Sequence, residues 1–378
     1  MKNVFIVLSQ MTSRMVNSIS KRKDSAIKNK ATSQLFLIML VLLLLLSACS
    51  DEKQARDNES KDNQLEDKSD SSAVAEDIYP LTGIESNDAV DNRIIGVMIN
   101  NHSKARPQTG LSQADIVFEI LAEGRITRFL ALYQSEMPEV AGPVRSAREY
   151  YFELANAYNA LYLYHGAATF VDQMIQDREI DHLNGSLYDN DGVLFNRESF
   201  RDAPHNSYLQ LGAVYDKAKE KGYDVTADYE ALPFLSEDED VTGDTAEHVE
   251  IVYSNNSPME IVEYKYDKRS ETYTRYNDRK KTVELESDKP IQPSNVFIIE
   301  TPHQVIDDAG RRAVDMESGG NAYLIQKGVV QKLQWKNKDG RIVPVKDGKT
   351  VAFAPGKTWI NVIPATPGLE ESVTISNE

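Results

Sequence analysis

One cysteine, Cys49, is all the 378-residue sequence contains, so no disulfide can form within the chain and the fold must stand on its packed core. Histidine occurs six times (His102, His165, His182, His205, His248, His303), in no spacing characteristic of zinc ligands. Gly-x-Ser-x-Gly, the Walker loop and His-Glu-x-x-His are all missing, which removes the commonest hydrolase, nucleotide and zincin chemistries. Asp189-Asn190-Asp191-Gly192 is a fragment of a calcium loop without its preceding ligand or closing glutamate, and it reads as a turn. Basic residues are also scarce: 42 Lys and Arg stand against 59 Asp and Glu, a net charge of −17. The shortage is uneven, because residues 1–48 carry +6 and the remaining 330 sum to −23. A body that acidic repels phosphodiester backbones, so nucleic acid is not an expected partner.

Only one long apolar run is present, the twelve residues Leu35 to Leu46. As a helix it would measure about 18 Å, short of a hydrocarbon core of about 30 Å but right for the apolar region of a signal peptide. Lys21, Arg22, Lys23, Lys28 and Lys30 precede it. Its end, Leu46-Ser47-Ala48-Cys49, resembles the lipobox of bacterial lipoproteins. That resemblance implies a signal peptide over 1–48 and a diacylglyceryl group on Cys49. It also implies a protein held by lipid on the extracytoplasmic face of the cell membrane, where two acyl chains suffice for stable attachment. The 34 residues ahead of the run exceed an ordinary n-region, which suits a later translation start such as Met15. Residues 50–77 hold ten acids and four bases with little that is apolar, the composition of a disordered tether, so 49–77 is read as lipidated cysteine plus tether.

Residues 78–225 read as an α/β domain with a mixed sheet. Ile94 to Ile99 and Ala160 to Tyr164 are short apolar runs expected as buried strands. Ile116 to Leu121 and Ile126 to Tyr133 are strands of a hairpin turning through Ala122-Glu123-Gly124-Arg125. Alternation puts Arg128, Leu130 and Leu132 on one face and Phe129, Ala131 and Tyr133 on the other. Ser146 with Glu149 forms a capping-box pattern, which predicts a helix over about 147–158. Further helices are expected over 168–177 and from Asn206 or Ser207 to Lys221, the last stopped by Gly222. An acidic, turn-rich linker covers 226–245. Residues 246–378 then show short strands at close spacing, a smaller and mainly β domain read as a barrel or sandwich, with Trp335 and Trp359 assigned to its core.

Within 93–148 the local charge is +2 inside a strongly acidic body, which would focus anions. Arg145 and Arg148, placed at a predicted helix N-terminus, would add guanidinium forks to free backbone amides. The candidate ligand-binding set is Arg106, Arg128, Arg145, Arg148, His165, Arg197, His205 and Asn206. Proton transfer, if any, would fall to His165, His205 or Glu123. The opposing reading is a well-capped helix whose arginines pair with Glu119 or Glu123.

Met98-Ile99-Asn100-Asn101, Ala105-Arg106-Pro107-Gln108, Glu119 through Arg128, Gly142 to Arg148, His165-Gly166 and Pro204-His205-Asn206 together resemble the YerB-type lipoproteins of Gram-positive bacteria. Trp335-Lys336 and Pro355 to Ile360 extend the likeness into the second half. The family joins an N-terminal and a C-terminal domain of unknown function. The resemblance therefore implies a lipid-anchored envelope protein and no defined reaction. A slighter likeness, in Asp115-Ile116-Val117, Arg145 and His165-Gly166, is to LytR-CpsA-Psr phosphotransferases. There the family's Arg-Asp pair is replaced by Arg145-Ser146, and the metal-binding half lacks its match.

The reading that follows is a membrane-tethered lipoprotein binding an anionic cell-wall precursor or polymer through an arginine-lined pocket, a binding module ahead of an enzyme. It needs no metal or cofactor. The alternatives are a phosphotransferase or hydrolase acting on pyrophosphate-linked envelope glycans, the one case that calls for Mg2+, and a scaffold that docks cell-wall synthesis proteins.

Overall fold

Strands and helices fall in this order along the first half: β1 (Ile95–Asn100), β2 (Ile116–Glu123), β3 (Ile126–Tyr133), α1 (Glu149–Ala157), β4 (Leu161–Tyr164), α2 (Thr169–Asp177), β5 (His182–Asn184), β6 (Phe195–Arg197), β7 (Ser207–Gln210) and α3 (Val214–Lys221). The second half contributes β8 (His248–Val252), β9 (Ile261–Asp267), β10 (Thr272–Asn277), β11 (Asn295–Thr301), β12 (Gly320–Gln326), β13 (Val329–Lys338), β14 (Arg341–Lys346), β15 (Thr358–Pro364), a short α4 (Leu369–Ser372) and β16 (Val373–Ser376). The computed structural model describes residues 77–236, 238–253 and 260–377, all in one compact unit. The expected signal peptide, Cys49 and most of the expected tether lie outside the described residues.

The apolar runs become strands buried on both faces. Phe129, Ala131 and Tyr133 enter one core, Leu130 and Leu132 the other, as the alternation requires. The hairpin β2–β3 turns at Gly124, whose φ of +56° suits glycine. β3 pairs antiparallel with β1, which runs parallel to β4, which in turn runs parallel to β5, giving the mixed sheet expected of the first half. The second half is mainly β. Its strands divide between two sheets: β8, β9, β10 and β16 form a small antiparallel sheet, while β11 to β15 continue the first half's sheet. The join is a parallel pairing of β15 with β2, in register from Thr358 opposite Ile116 to Val362 opposite Ile120. One twelve-stranded sheet thus runs through both halves. The small sheet packs on one of its faces and α1 on the other. Trp335 and Trp359 are buried core residues.

Two helix starts differ from the sequence expectation. The first helix begins at Glu149, with Arg148 extended as its N-cap and no side-chain cap. Ser146 and Glu149 do not form a capping box, because the backbone there is already engaged in tertiary bonds: Ser146 O accepts from Arg128 and Ala147 N donates to Gly166 O. The third helix begins at Val214, not at Asn206 or Ser207, because Ser207–Gln210 is taken up as a strand between β6 and Val140–Ala141. Its end is as expected, with Gly222 left-handed at the C-cap.

Candidate functional site

β1 and β4 pair from Ile95–Leu161 to Val97–Leu163 and then part. The segment Gly142 to Ser146 enters the gap between their C-terminal ends. Arg145 N donates to Met98 O at 2.9 Å, and His165 N donates to Arg145 O at 3.0 Å, so the residue is tied to both strands. Asn100 N donates to Pro143 O, and Val144 N donates to Ser207 O on β7. Gly142 makes this approach possible, because a Cβ there would come within 2.9 Å of the Tyr208 ring. Parting strands at the carboxyl edge of a mixed sheet are where open α/β sheets take ligands.

Arg145 is half-buried and its side chain has neither hydrogen bond nor ion pair among the described residues. Burial first, and the neighbouring Arg128 second, lower its pKa to about 10. Three histidines feel its charge: His102, His165 and His205. Asn100 accepts His102 N–H through Oδ1 at 3.0 Å, which orients its amide so that Nδ2 donates to His205 Nδ1 at 3.0 Å. His102 Nδ1 accepts from Lys104 N at 3.1 Å. Both Nδ1 lone pairs are therefore occupied, and each neutral ring carries its proton on Nε2. The rings lie side by side with centroids 4.6 Å apart. Burial lowers both pKa values; Lys104, Arg106 and Arg145 add to the effect at His102, and His102, Arg145, Lys104 and Arg201 at His205. The result is a donor-rich corner at the end of β1.

His165 is placed differently. Its Nδ1 lies 2.7 Å from Ser207 Oγ, and its Nε2 lies 3.8 Å from Asp189 Oδ1 and 3.4 Å from Arg197 Nη2. Burial lowers its pKa, Asp189 opposes that shift, and Arg197 and Arg145 reinforce it. Arg197 itself is occupied by Asp189 at 2.7 Å and by Asn206 Oδ1 at 2.8 Å.

The remaining arginines of the candidate set have counter-ions. Arg128 donates to Glu123 Oε2 at 2.6 Å and to Ser146 O at 2.8 Å, and Arg148 pairs with the other oxygen of Glu123. A bulge between Leu121 and Glu123 re-aims that carboxylate, while the hydroxyls of Tyr150 and Tyr151 on α1 bond Leu121 O and Ile120 O. Glu123 is thus spent as a shared counter-ion, a poor position for a base. Arg106 bonds Asn101 O, Asp278 at 2.6 Å and Glu260 at 3.3 Å, and it lines a cavity of about 340 Å3 with Gln108, Asn277 and Lys281. Of the predicted cluster, the fold leaves Arg145 within electrostatic reach of His165, His205 and Arg128, joins Arg197 to His165 and Asn206, and commits Arg106, Arg128 and Arg148 to carboxylates.

Sequence reasoning passed over His102 and Lys104, which stand in the polar loop directly after a buried strand and could have been added on position alone. It also missed Arg275. Glu119, in the middle of Ile116 to Leu121, accepts two bonds from Arg275 at 2.9 and 2.8 Å, one from Trp359 Nε1 and one from Thr127 Oγ1, with both charged groups fully buried. A carboxylate inside an apolar strand requires such a partner. Asp115 is equally closed: it accepts from Gln134 N at 2.6 Å and Ser135 N at 2.9 Å, with burial pushing its pKa up to about 6. Among the described residues no group of three or more His, Cys, Asp or Glu is gathered to hold a metal ion.

An α/β half and a β half sharing one sheet, with a cation-bearing corner where two parallel strands part, define a two-domain protein. The N-terminal domain model of a protein family of unknown function, DUF3048, matches residues 81–224, and its C-terminal domain model matches residues 249–360. The chain belongs to this family. It is 46% identical over 286 residues to "Putative lipoprotein YerB" of Bacillus subtilis (strain 168), spanning 75% of this chain and 86% of that one. The crystal structure of the YerB protein from Bacillus subtilis superposes with a TM-score of 0.73 at 44% identity, covering 79% of this chain and 99% of that one.

Proposed function

We propose that the protein is a lipid-anchored component of the cell envelope whose first half binds an anionic cell-wall precursor or polymer, with the anion received at Arg145. The observation that carries this reading is a half-buried guanidinium with neither a counter-ion nor a hydrogen-bond partner among the described residues, whereas Arg106, Arg128, Arg148 and Arg197 each pair with a carboxylate. Desolvating a cation without a partner is unfavourable, and an incoming anion offsets that cost. His102 and His205 supply Nε2–H donors beside it, and His165 stands at the same edge. Anchoring through diacylglyceryl-Cys49 on the extracytoplasmic face accords with the relative's description as a lipoprotein. Phosphoryl transfer on the same ligands is the second reading, supported by His165 and His205 beside Arg145; Asp115 and Glu123, both engaged, weigh against it.

The test is equilibrium binding of inorganic phosphate and of a teichoic-acid fraction to the full chain in nonionic detergent, wild type against Arg145→Met. Removing a charged donor should weaken binding by about 10- to 100-fold, with the unfolding midpoint unchanged or raised. Equal binding by the two proteins refutes the assignment.

A further inference from the structure

A second cavity opens beside the anion corner and shares His205 with it. It encloses about 310 Å3 and is lined by Lys104, Ser199, Phe200, Arg201, Asp202 and His205. Phe200 is 57% exposed, unusual for a phenylalanine, yet its ring is fixed: it lies 5.8 Å from the Tyr208 ring, and the Arg201 guanidinium carbon sits over it at 5.4 Å. Arg201 is immobilised in turn by Ala105 O and Tyr208 Oη, at 2.7 and 2.8 Å, and by Pro107 O. The Asp202 carboxylate and Ser199 hydroxyl have no bonded partner among the described residues.

A rigid exposed ring surrounded by an acceptor carboxylate, a hydroxyl and two cations is the complement of a sugar, which presents a face of C–H groups and an edge of hydroxyls that both donate and accept. The volume lies at the small end of ligand pockets and suits one monosaccharide. We infer that the site takes a phosphorylated sugar unit, with the phosphate at Arg145, His102 and His205 and the sugar ring on Phe200, its hydroxyls reaching Asp202 and Lys104. This deepens the anion reading above and rests on it.

The experiment is calorimetric titration of the full chain in nonionic detergent at pH 8 with inorganic phosphate, glycerol 3-phosphate and α-D-glucose 1-phosphate. Wild type should bind the sugar phosphate about tenfold tighter than phosphate, with glycerol 3-phosphate close to phosphate. Phe200→Ala should erase that preference and leave the phosphate affinity within about twofold, Phe200→Tyr should keep it, and Asp202→Asn should reduce it. Equal affinity of wild type for phosphate and glucose 1-phosphate, with both dependent on Arg145, overturns the sugar subsite and leaves the anion site standing. Loss of phosphate binding in Phe200→Ala also overturns it, since the ring would then support the corner instead of receiving a ligand. Absence of binding by any of the three in wild type overturns the anion reading and this inference together.

Discussion

Arg275→Met removes the cation that neutralises Glu119 at the contact between the two sheets. The carboxylate would keep Thr127 Oγ1 and Trp359 Nε1 but lose two guanidinium bonds, in a place where neither residue has any solvent exposure. Breaking a buried pair by removing one partner costs about 3–5 kcal/mol, because the remaining charge is stranded. The guanidinium also lies 4.5 Å from the Trp359 ring centroid and 5.3 Å from that of Phe129, contacts a methionine retains only in part. Guanidinium chloride unfolding with an m-value of about 4 kcal/mol/M would then show a midpoint lowered by about 1 M. Glu119 belongs to the first half and Arg275 to the second, yet the whole described body should shift as one transition by tryptophan fluorescence and by circular dichroism. The double variant Glu119→Gln, Arg275→Met should be less damaged than the two single losses combined, by about 1–3 kcal/mol. A loss below about 1 kcal/mol in Arg275→Met, or a transition that splits so that one half unfolds alone, would refute the claim that this pair locks the halves together.

Glu123→Ala should lower stability by about 3 kcal/mol, because it strands Arg128 and Arg148 together; a midpoint within error of wild type would mean that solvent already screens the pair. Burial, aided by Glu119 and Asp278 against the opposing Arg106, raises Glu260 to a pKa of about 7, from an ordinary value of 4.5. The folded state thus binds a proton that the unfolded state has released, and this group's contribution to stability declines as pH rises from 4.5 through 7. Glu260→Gln should consequently gain on wild type by about 3 kcal/mol between pH 4.5 and pH 8 in paired melts; a gap that narrows with rising pH would show Arg106 to dominate instead. Cys49→Ala should move the protein from the membrane to the soluble fraction, and unchanged fractionation would mean that Leu35 to Leu46 is retained as an anchor.

Much of the sheet is legible because its strands are apolar on both faces. Ile94 to Ile99, Ile116 to Leu121 and Ile126 to Tyr133 can do little except lie buried, and Gly124 marks the hairpin that joins the last two. Helix starts are less legible where tertiary bonds outbid a local cap. Ser146 carries a capping signature, but its carbonyl is taken by Arg128 and the next amide by Gly166 O. The motif around Arg145 is visible in the sequence, whereas its freedom from a counter-ion is not. That depends on Glu123 serving two other arginines across a bulge and on Glu260 and Asp278 arriving from the second half for Arg106. Arg275 could be inferred only as a need, since a lone Glu119 in an apolar strand requires a cation without saying which one, 156 residues away.

The parallel seam between β15 and β2 makes the order of synthesis matter. Ile116 leaves the ribosome some 240 residues before the Thr358 that will lie beside it. Until then the first half holds a bare strand edge, open to proteases and to other chains. A prematurely ended product never acquires the strand that covers that edge, so the body becomes durable only once nearly its whole length has been delivered.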